Sequence, residues 1–219
     1  MNGSRSLPSE VPFASFFVYA PRPVPGEGDA GPKSRRLVRS IKNEAHHFSV
    51  RWNLAEFVRN GLSGKLRELY LGSDTTLVPM PGHAPLRDQD SRWPADELCT
   101  EFLKAGLGAQ SLPLIERVHR VSKAAFSSAS ERPTASRHFE SFRCMAQIGV
   151  GECITVVDDV ITRGATMLAA VAALQSVYPG ASVRGFALIR TMSDVALQSV
   201  TEPVEGSVVL RGDETIRRP

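Results

Sequence analysis

The distribution of apolar and polar positions along the chain predicts strands that alternate with helices. Residues 154–157 form a largely apolar run, whereas residues 33–44 carry apolar positions at helical spacing among basic ones. Alternating strands and helices are typical of an α/β fold with a mostly parallel, Rossmann-like sheet that has helices on both faces. The predicted strands are 16–19, 75–78, 112–118, 153–157, 182–190 and a weaker one at 207–210, and the predicted helices are 33–44, 53–60, 95–105 and 166–177.

The most informative segment is residues 154–166, which read ITVVDDVITRGAT. An apolar strand is followed by the adjacent acids Asp158 and Asp159, then by a short loop with threonines and a glycine, and then by an Ala-rich helix. Loop amides and the positive end of a helix together bind phosphate groups, and two neighbouring carboxylates suit the hydroxyls of a sugar. A ribose 5-phosphate fits both halves of the pattern. The alternative is a buried strand followed by an ordinary turn and helix.

This segment resembles the phosphoribosyl diphosphate (PRPP) signature of type I phosphoribosyltransferases. The resemblance implies the fold of that family, with Asp158 and Asp159 bound to the ribose hydroxyls. It also implies that loop amides and threonine hydroxyls bind the 5-phosphate, and that Mg²⁺ binds through PRPP oxygens and water. A glycine at position 164 suits such a loop because a side chain there would block an anion or forbid a positive φ. The implied phosphate-binding residues are Thr162, Arg163, Gly164, Ala165 and Thr166.

A second loop is expected beside the first. Ligands of parallel sheets bind beyond the carboxyl ends of the strands, and three loops are predicted to leave such ends, after residues 78, 118 and 157. Residues 79–83 (PMPGH) resemble the pyrophosphate loop of the family, whose backbone amides face the diphosphate. The alternative is an ordinary strand-ending turn followed by surface charge. The residues implied at the diphosphate are Pro81, Gly82, His83 and Arg87.

The segment 122–149 resembles the mobile lid of the same family in place and length. A lid that closes over PRPP excludes water and protects a reactive sugar cation. Lys123 and Arg137 are the lid residues implied at the diphosphate, and His138 lies in the same segment. Residues 137–142 (RHFESF) are aromatic enough to dock as a short helix. The alternative for this long polar stretch is disorder.

Over residues 35–195 the layout is most similar to the ComF-like branch of the family, which commonly begins with a zinc module that this chain lacks. The expected organisation is an N-terminal extension with a strand and a Pro/Gly-rich loop (1–34), a phosphoribosyltransferase domain (35–195) and a C-terminal strand and tail (196–219). The resemblance implies transfer of a phosphoribosyl group to a nucleobase or amine with release of diphosphate. A non-catalytic PRPP- or nucleotide-binding regulator and a ComF-like DNA-processing accessory protein are the alternatives.

Composition narrows the class of protein further. The 219 residues are 42% hydrophobic and 22% charged, which suits one globular domain. No apolar run approaches the ~20 residues of a membrane span, and three widely spaced cysteines suit free thiols in a reducing cytoplasm. A net charge of +3 fits an anionic ligand, PRPP or a nucleoside phosphate, and supports nucleic-acid binding only weakly. A homodimer is possible, and the sequence does not indicate the acceptor.

Overall fold

The computed structural model describes residues 6–42, 47–85, 93–121 and 133–219, which form nine strands and six helices. The strands are β1 (Glu10–Tyr19), β2 (Thr75–Pro79), β3 (Gln110–Ser111), β4 (Ile115–Arg117), β5 (Phe142–Cys144), β6 (Cys153–Ile161), β7 (Ser182–Thr191), β8 (Thr201–Arg211) and β9 (Glu214–Arg218). The helices are α1 (Ala30–Lys42), α2 (His47–Gly61), α3 (Gly64–Leu71), α4 (Pro94–Lys104), α5 (Ala135–Glu140) and α6 (Ala165–Val177).

Seven of these strands form one sheet in the order β3-β2-β6-β7-β1-β8-β9. The neighbours from β3 to β1 are parallel, whereas β8 pairs antiparallel with both β1 and β9. The prediction of an α/β protein with a mostly parallel sheet is therefore confirmed. The two remaining strands, β4 and β5, form a small antiparallel sheet of their own.

Apolar side chains from helices cover both faces of the large sheet. On one face, α1 to α4 contribute residues such as Val38, Val58 and Phe102 to a core shared with Val157 of β6. The other face packs against α6, which is itself covered by α5 and the β4–β5 sheet. Every residue of α6 from Met167 to Leu174 is buried. A helix that is apolar on all sides is expected in this position, between a sheet and an outer layer.

Two strand predictions need correction. The predicted strand 112–118 does not join the large sheet, because the chain leaves it after Ser111 and only Ile115–Arg117 is extended, paired with β5. Pro113 explains the break, since it has no N–H to give to a sheet ladder. The strand predicted at 153–157 continues to Ile161, because Val160 and Ile161 still pair with β7.

The N-terminal and C-terminal segments both belong to the large sheet. The predicted strand 16–19 is the end of the longer β1, which lies between β7 and β8. The weak strand at 207–210 lies in the C-terminal half of β8, and β9, which was not predicted, turns back along it to form the β8–β9 hairpin. Among the helices of the described residues, none is both long and apolar enough to cross a membrane.

Candidate functional site

The carboxyl ends of β2 and β6 create a crevice at the edge of the sheet. β2 and β6 are adjacent and parallel, and the pairing between them ends where Pro79, the last residue of β2, pairs with Val157. After β2 the chain passes to α4, which packs on one face, and after β6 it passes to α6, which packs on the other. Ligands of open α/β sheets bind where neighbouring strands diverge in this way. The candidate site therefore lies between the loops that follow these two strands.

Asp158 and Asp159 lie on the part of β6 that extends beyond β2. The pairing with β2 stops at Val157, whereas the pairing with β7 continues to Ile161. The sequence had suggested that both acids follow the strand, but they lie inside it. They border the crevice. The Asp159 amide donates to Asp158 Oδ1, and the Val160 amide donates to Asp159 Oδ1, each over 2.9 Å.

The carboxyl groups of Asp158 and Asp159 lie close enough to affect each other's charge. Burial, together with the charge of the neighbouring Asp159 carboxylate, raises the pKa of Asp158 well above its usual value. Negative charge is therefore crowded at this point of the crevice. Hydroxyl donors of a sugar, or a cation, would relieve that crowding, so the pair is chemically suited to either.

Residues 162–166, here called the phosphate loop, comprise the turn after β6 and the first two residues of α6. Gly164 is the N-cap of α6 and has a φ of 87°, a left-handed conformation that a glycine adopts without strain. It offers no side chain to cap the helix, so the amides of the first turn are left for an external acceptor. Thr162 and Arg163 are exposed, and Ala165 and Thr166 are half-buried. The loop thus has the features of an anion-binding helix start.

The β8–β9 hairpin packs against the phosphate loop and the end of β6. A Cβ atom at position 164 would lie 2.4 Å from a methyl carbon of Val208, so the hairpin fills the space beside the glycine. Arg217 of β9 donates to the backbone oxygen of Ile161 over 3.2 Å and also to that of Thr191. Burial, and then the nearby Arg190, lower the pKa of Arg217 to about 10. These contacts with distant residues were not foreseen from the sequence.

A cavity of about 130 Å³ opens against the phosphate loop. It includes the whole loop and Asp158, but Asp159 is not part of its wall. Pro133 and His138 close it from the side of α5. The structure therefore brings one of the two predicted ribose ligands together with all five predicted phosphate ligands. In the described part of the chain the lining residues are Pro133, His138, Asp158, Val160, Ile161, Thr162, Arg163, Gly164, Ala165, Thr166 and Met167.

The 79–83 turn lies beside β6, as its position after β2 predicted. The Met80 amide donates to the oxygen of Val157 over 2.8 Å, which fixes the start of the turn to β6. The indole Nε1 of Trp93 donates to the Met80 oxygen over 2.6 Å. Pro81 is buried, and Gly82 and His83 are half-buried. The remaining candidate of this group, Arg87, lies outside the described residues.

Arg117 ties this turn to the lid, a role that the sequence analysis missed. Its side chain is 3% exposed, donates from Nε to the Gly82 oxygen and from Nη1 to Ser141 Oγ, and lies 4.4 Å from the ring centre of Phe142. Burial lowers the pKa of Arg117 to about 10. A usable signal was present, because strand alternation places Arg117 on the same side as the buried Ile115.

Of the predicted lid, the described residues begin at Pro133 and contain α5 and β5. The expected short helix is present as α5, capped by the Thr134 hydroxyl, and it packs on α6. Arg137 is exposed on this helix and does not line the cavity; His138, the next residue, does. Lys123 lies outside the described residues. Contact of Arg137 with the diphosphate therefore stays a prediction, and His138 is the α5 side chain that lines the cavity.

Within the described residues, no group of three or more His, Cys, Asp or Glu side chains is arranged to hold a metal ion. All three cysteines are free thiols. In comparisons with known proteins, no family model matches this chain and no curated protein matches it in sequence.

Proposed function

We propose that the protein is a phosphoribosyltransferase of the type I fold that binds PRPP with Mg²⁺ and transfers the phosphoribosyl group to a nucleobase or amine. The observation that carries this proposal is that Asp158 and the phosphate loop line one and the same cavity at the carboxyl end of β6. A ligand that fills it needs a phosphate at one end and hydroxyls at the other. Ribose 5-phosphate has both, and PRPP adds a diphosphate that can extend towards the 79–83 turn.

The residues would act mainly by binding and orientation. The phosphate loop holds the 5-phosphate and supplies binding energy remote from the reacting carbon. Asp158 and Asp159 hold the ribose hydroxyls, and their crowded carboxylates also suit Mg²⁺, an ion that prefers oxygen ligands and would neutralise charge on the leaving diphosphate. Residues of the 79–83 turn, with Arg87, Lys123 and Arg137, are the candidate diphosphate contacts. These groups together favour departure of the leaving group.

The reaction itself balances without a further reagent. A nitrogen of the acceptor forms a bond to C1 of the ribose, and the bond from C1 to the diphosphate oxygen breaks, with its electron pair leaving on the diphosphate. The acceptor nitrogen releases one proton to solvent. No general base is assigned. The free thiols support a reducing cytoplasm as the compartment of this reaction.

The test is calorimetric titration with PRPP and Mg²⁺, followed by an assay of diphosphate release over a panel of nucleobases and amines. We expect micromolar binding that the double variant Asp158→Asn/Asp159→Asn abolishes. The matched control is Asp74→Asn/Glu152→Gln. It removes two exposed acids that immediately precede β2 and β6, at the opposite edge of the sheet from Asp158 and Asp159. An affinity of the Asp158→Asn/Asp159→Asn variant equal to that of wild type would refute the ribose assignment.

The same measurements distinguish the two alternative functions. Binding of PRPP without diphosphate release for any acceptor would favour the non-catalytic regulator. Salt-sensitive DNA binding without PRPP binding would favour the DNA-processing accessory.

A further inference from the structure

His138 reaches the phosphate loop from a different part of the chain. It is 7% exposed and lines the same cavity as residues 162–166. Its Nε2 atom lies 3.2 Å from the hydroxyl oxygen of Thr166, and its ring stacks on Phe142. Thr166 also lines the cavity. The imidazole therefore contacts a hydroxyl that is itself available to a ligand.

The other ring nitrogen decides which way this hydrogen bond runs. The Nδ1 atom of His138 is buried and has no hydrogen-bond partner among the described residues. A buried N–H without an acceptor is costlier and rarer than a buried acceptor without a donor. In a neutral ring the single proton therefore belongs on Nε2, from which it donates to Thr166. Burial, and secondarily the nearby Arg117, lower the pKa of His138 to about 4, so the ring is neutral at pH 7.

We propose that His138 is a positioning residue for phosphate binding: its Nε2–H donates to Thr166 Oγ1, which leaves the Thr166 hydroxyl proton to donate to a phosphate oxygen of the ligand. This inference rests on the proposed function only in that the ligand carries a phosphate at residues 162–166. With the opposite tautomer, Thr166 would donate to the imidazole and would present only lone pairs to an anion. His138 therefore determines whether this hydroxyl attracts or repels phosphate.

The same histidine belongs to a chain of hydrogen bonds between the two loops of the crevice. Arg117 donates to the Gly82 oxygen in the 79–83 turn and to Ser141 Oγ, and Ser141 Oγ donates to the backbone oxygen of His138 over 2.6 Å. The chain continues through the imidazole to Thr166. Gly82 and Thr166 are therefore linked through three intervening residues, Arg117, Ser141 and His138, the last through both its backbone oxygen and its side chain, and all three are buried.

The first test measures the affinity for ribose 5-phosphate in His138→Phe, His138→Gln and Thr166→Val. We expect His138→Phe to bind about tenfold more weakly, since the orientation of one charge-assisted hydrogen bond is lost. His138→Gln should stay within about threefold of wild type, because its amide N–H₂ can still donate to Thr166. In a Thr166→Val background, His138→Phe should have little further effect. Melting temperatures identify any variant that fails to fold.

The second test reads the tautomer directly in the folded protein. Imidazole ¹⁵N chemical shifts, assigned by comparison with the His138→Gln spectrum, should show a neutral ring protonated on Nε2 at pH 7. Protonation on Nδ1 would overturn the inference even if the variants folded poorly. Unchanged affinity in His138→Phe, or equal losses in His138→Phe and His138→Gln, would also overturn it while leaving the proposed function intact. If wild-type protein bound neither ribose 5-phosphate nor PRPP, both proposals would fail; binding without diphosphate release would count against the transferase alone.

Discussion

Gly164 lies directly against Val208: a Cβ atom at position 164 would be 2.4 Å from one Val208 methyl carbon and 2.7 Å from the other. The glycine also has a φ of 87°. Two independent constraints, one from the backbone and one from the hairpin, therefore exclude a side chain at the start of α6. The backbone constraint was predicted from the sequence, whereas the contact with Val208 was not.

These two constraints can be separated by mutation. Gly164→Ala is expected to weaken ribose 5-phosphate binding at least tenfold and to lower stability, because the left-handed conformation costs about 1 kcal/mol and the methyl group displaces Val208. Adding Val208→Ala should restore the part of the loss that is due to the clash and leave the conformational part. Calorimetry and thermal unfolding of both single variants and the double variant measure how much of the loss in affinity and stability is due to the clash and how much to the backbone conformation. Equal affinities of Gly164→Ala and wild type would contradict the assignment of the phosphate loop.

Asp158→Asn is expected to stabilise the protein at neutral pH while it abolishes PRPP binding. The pKa of Asp158 is raised in the folded state, so wild-type protein loses stability as the pH rises from the unfolded value of about 4 through the folded one. A tenfold difference in proton affinity corresponds to about 1.4 kcal/mol. The asparagine keeps the Oδ1 acceptor for the Asp159 amide and carries no charge.

Thermal unfolding between pH 4 and pH 8 tests this prediction. The melting temperatures of wild type and Asp158→Asn should agree near pH 4 and should diverge as the pH rises, with the variant higher. Asp74→Asn serves as the control, since Asp74 is exposed at the amino end of β2. A variant that is less stable than wild type at pH 8 would contradict the electrostatic account of the pair.

Arg217→Met is expected to lower both stability and phosphate affinity. The substitution removes the hydrogen bonds that Arg217 donates to the backbone oxygens of Ile161 and Thr191, at a cost of about 1–3 kcal/mol. The loss corresponds to several degrees in melting temperature for a chain of this size. The matched control is Arg67→Met, an exposed arginine that donates to the oxygen of Arg59 on the helical side of the protein. Equal effects of the two substitutions would remove any special role of the hairpin in holding the loop.

Trp93→Phe is expected to weaken PRPP binding about fivefold without changing the affinity for ribose 5-phosphate. Its indole is the donor to the Met80 oxygen, a bond that contributes about 1 kcal/mol and fixes the 79–83 turn. Only PRPP carries a diphosphate that would contact this turn. Titration of the one variant with the two ligands supplies an internal control, and equal losses for both ligands would show that the turn does not bind the diphosphate.

Local patterns were sufficient to predict the central strands of the sheet and the turn between β6 and α6. The apolar run before Asp158 and the Ala-rich segment after Gly164 each specify their own secondary structure, so the strand-loop-helix order could be inferred from consecutive residues. The parallel arrangement followed from the alternation of elements. The start of α6 was therefore predicted to within one residue.

Contacts between residues far apart in sequence could not be predicted in the same way. Val208 occupies an ordinary strand position, and nothing in its neighbourhood indicates that it faces Gly164. Arg117 lies close in sequence to His119 and Arg120, and its burial against Phe142 was not predicted. The alternation in β4 indicates that Arg117 is buried but not what it contacts, and the sequence placed His138 in the lid without its contact to Thr166. Such partners from other elements became known only from the structure.

The location of Val208 has a consequence for the order in which residues 162–166 and their support are formed. The β8–β9 hairpin is held in the sheet by β1, in which Phe13 pairs with both Gly185 and Gly206. Such pairing between opposite ends of a chain forms late, because a large loop must close before any contact compensates for the lost entropy. During synthesis, the phosphate loop emerges well before the hairpin that supports it. A nascent chain that ends before residue 201 would contain the whole of residues 154–166 and would still lack the contacts of Val208 and Arg217 that hold them in place.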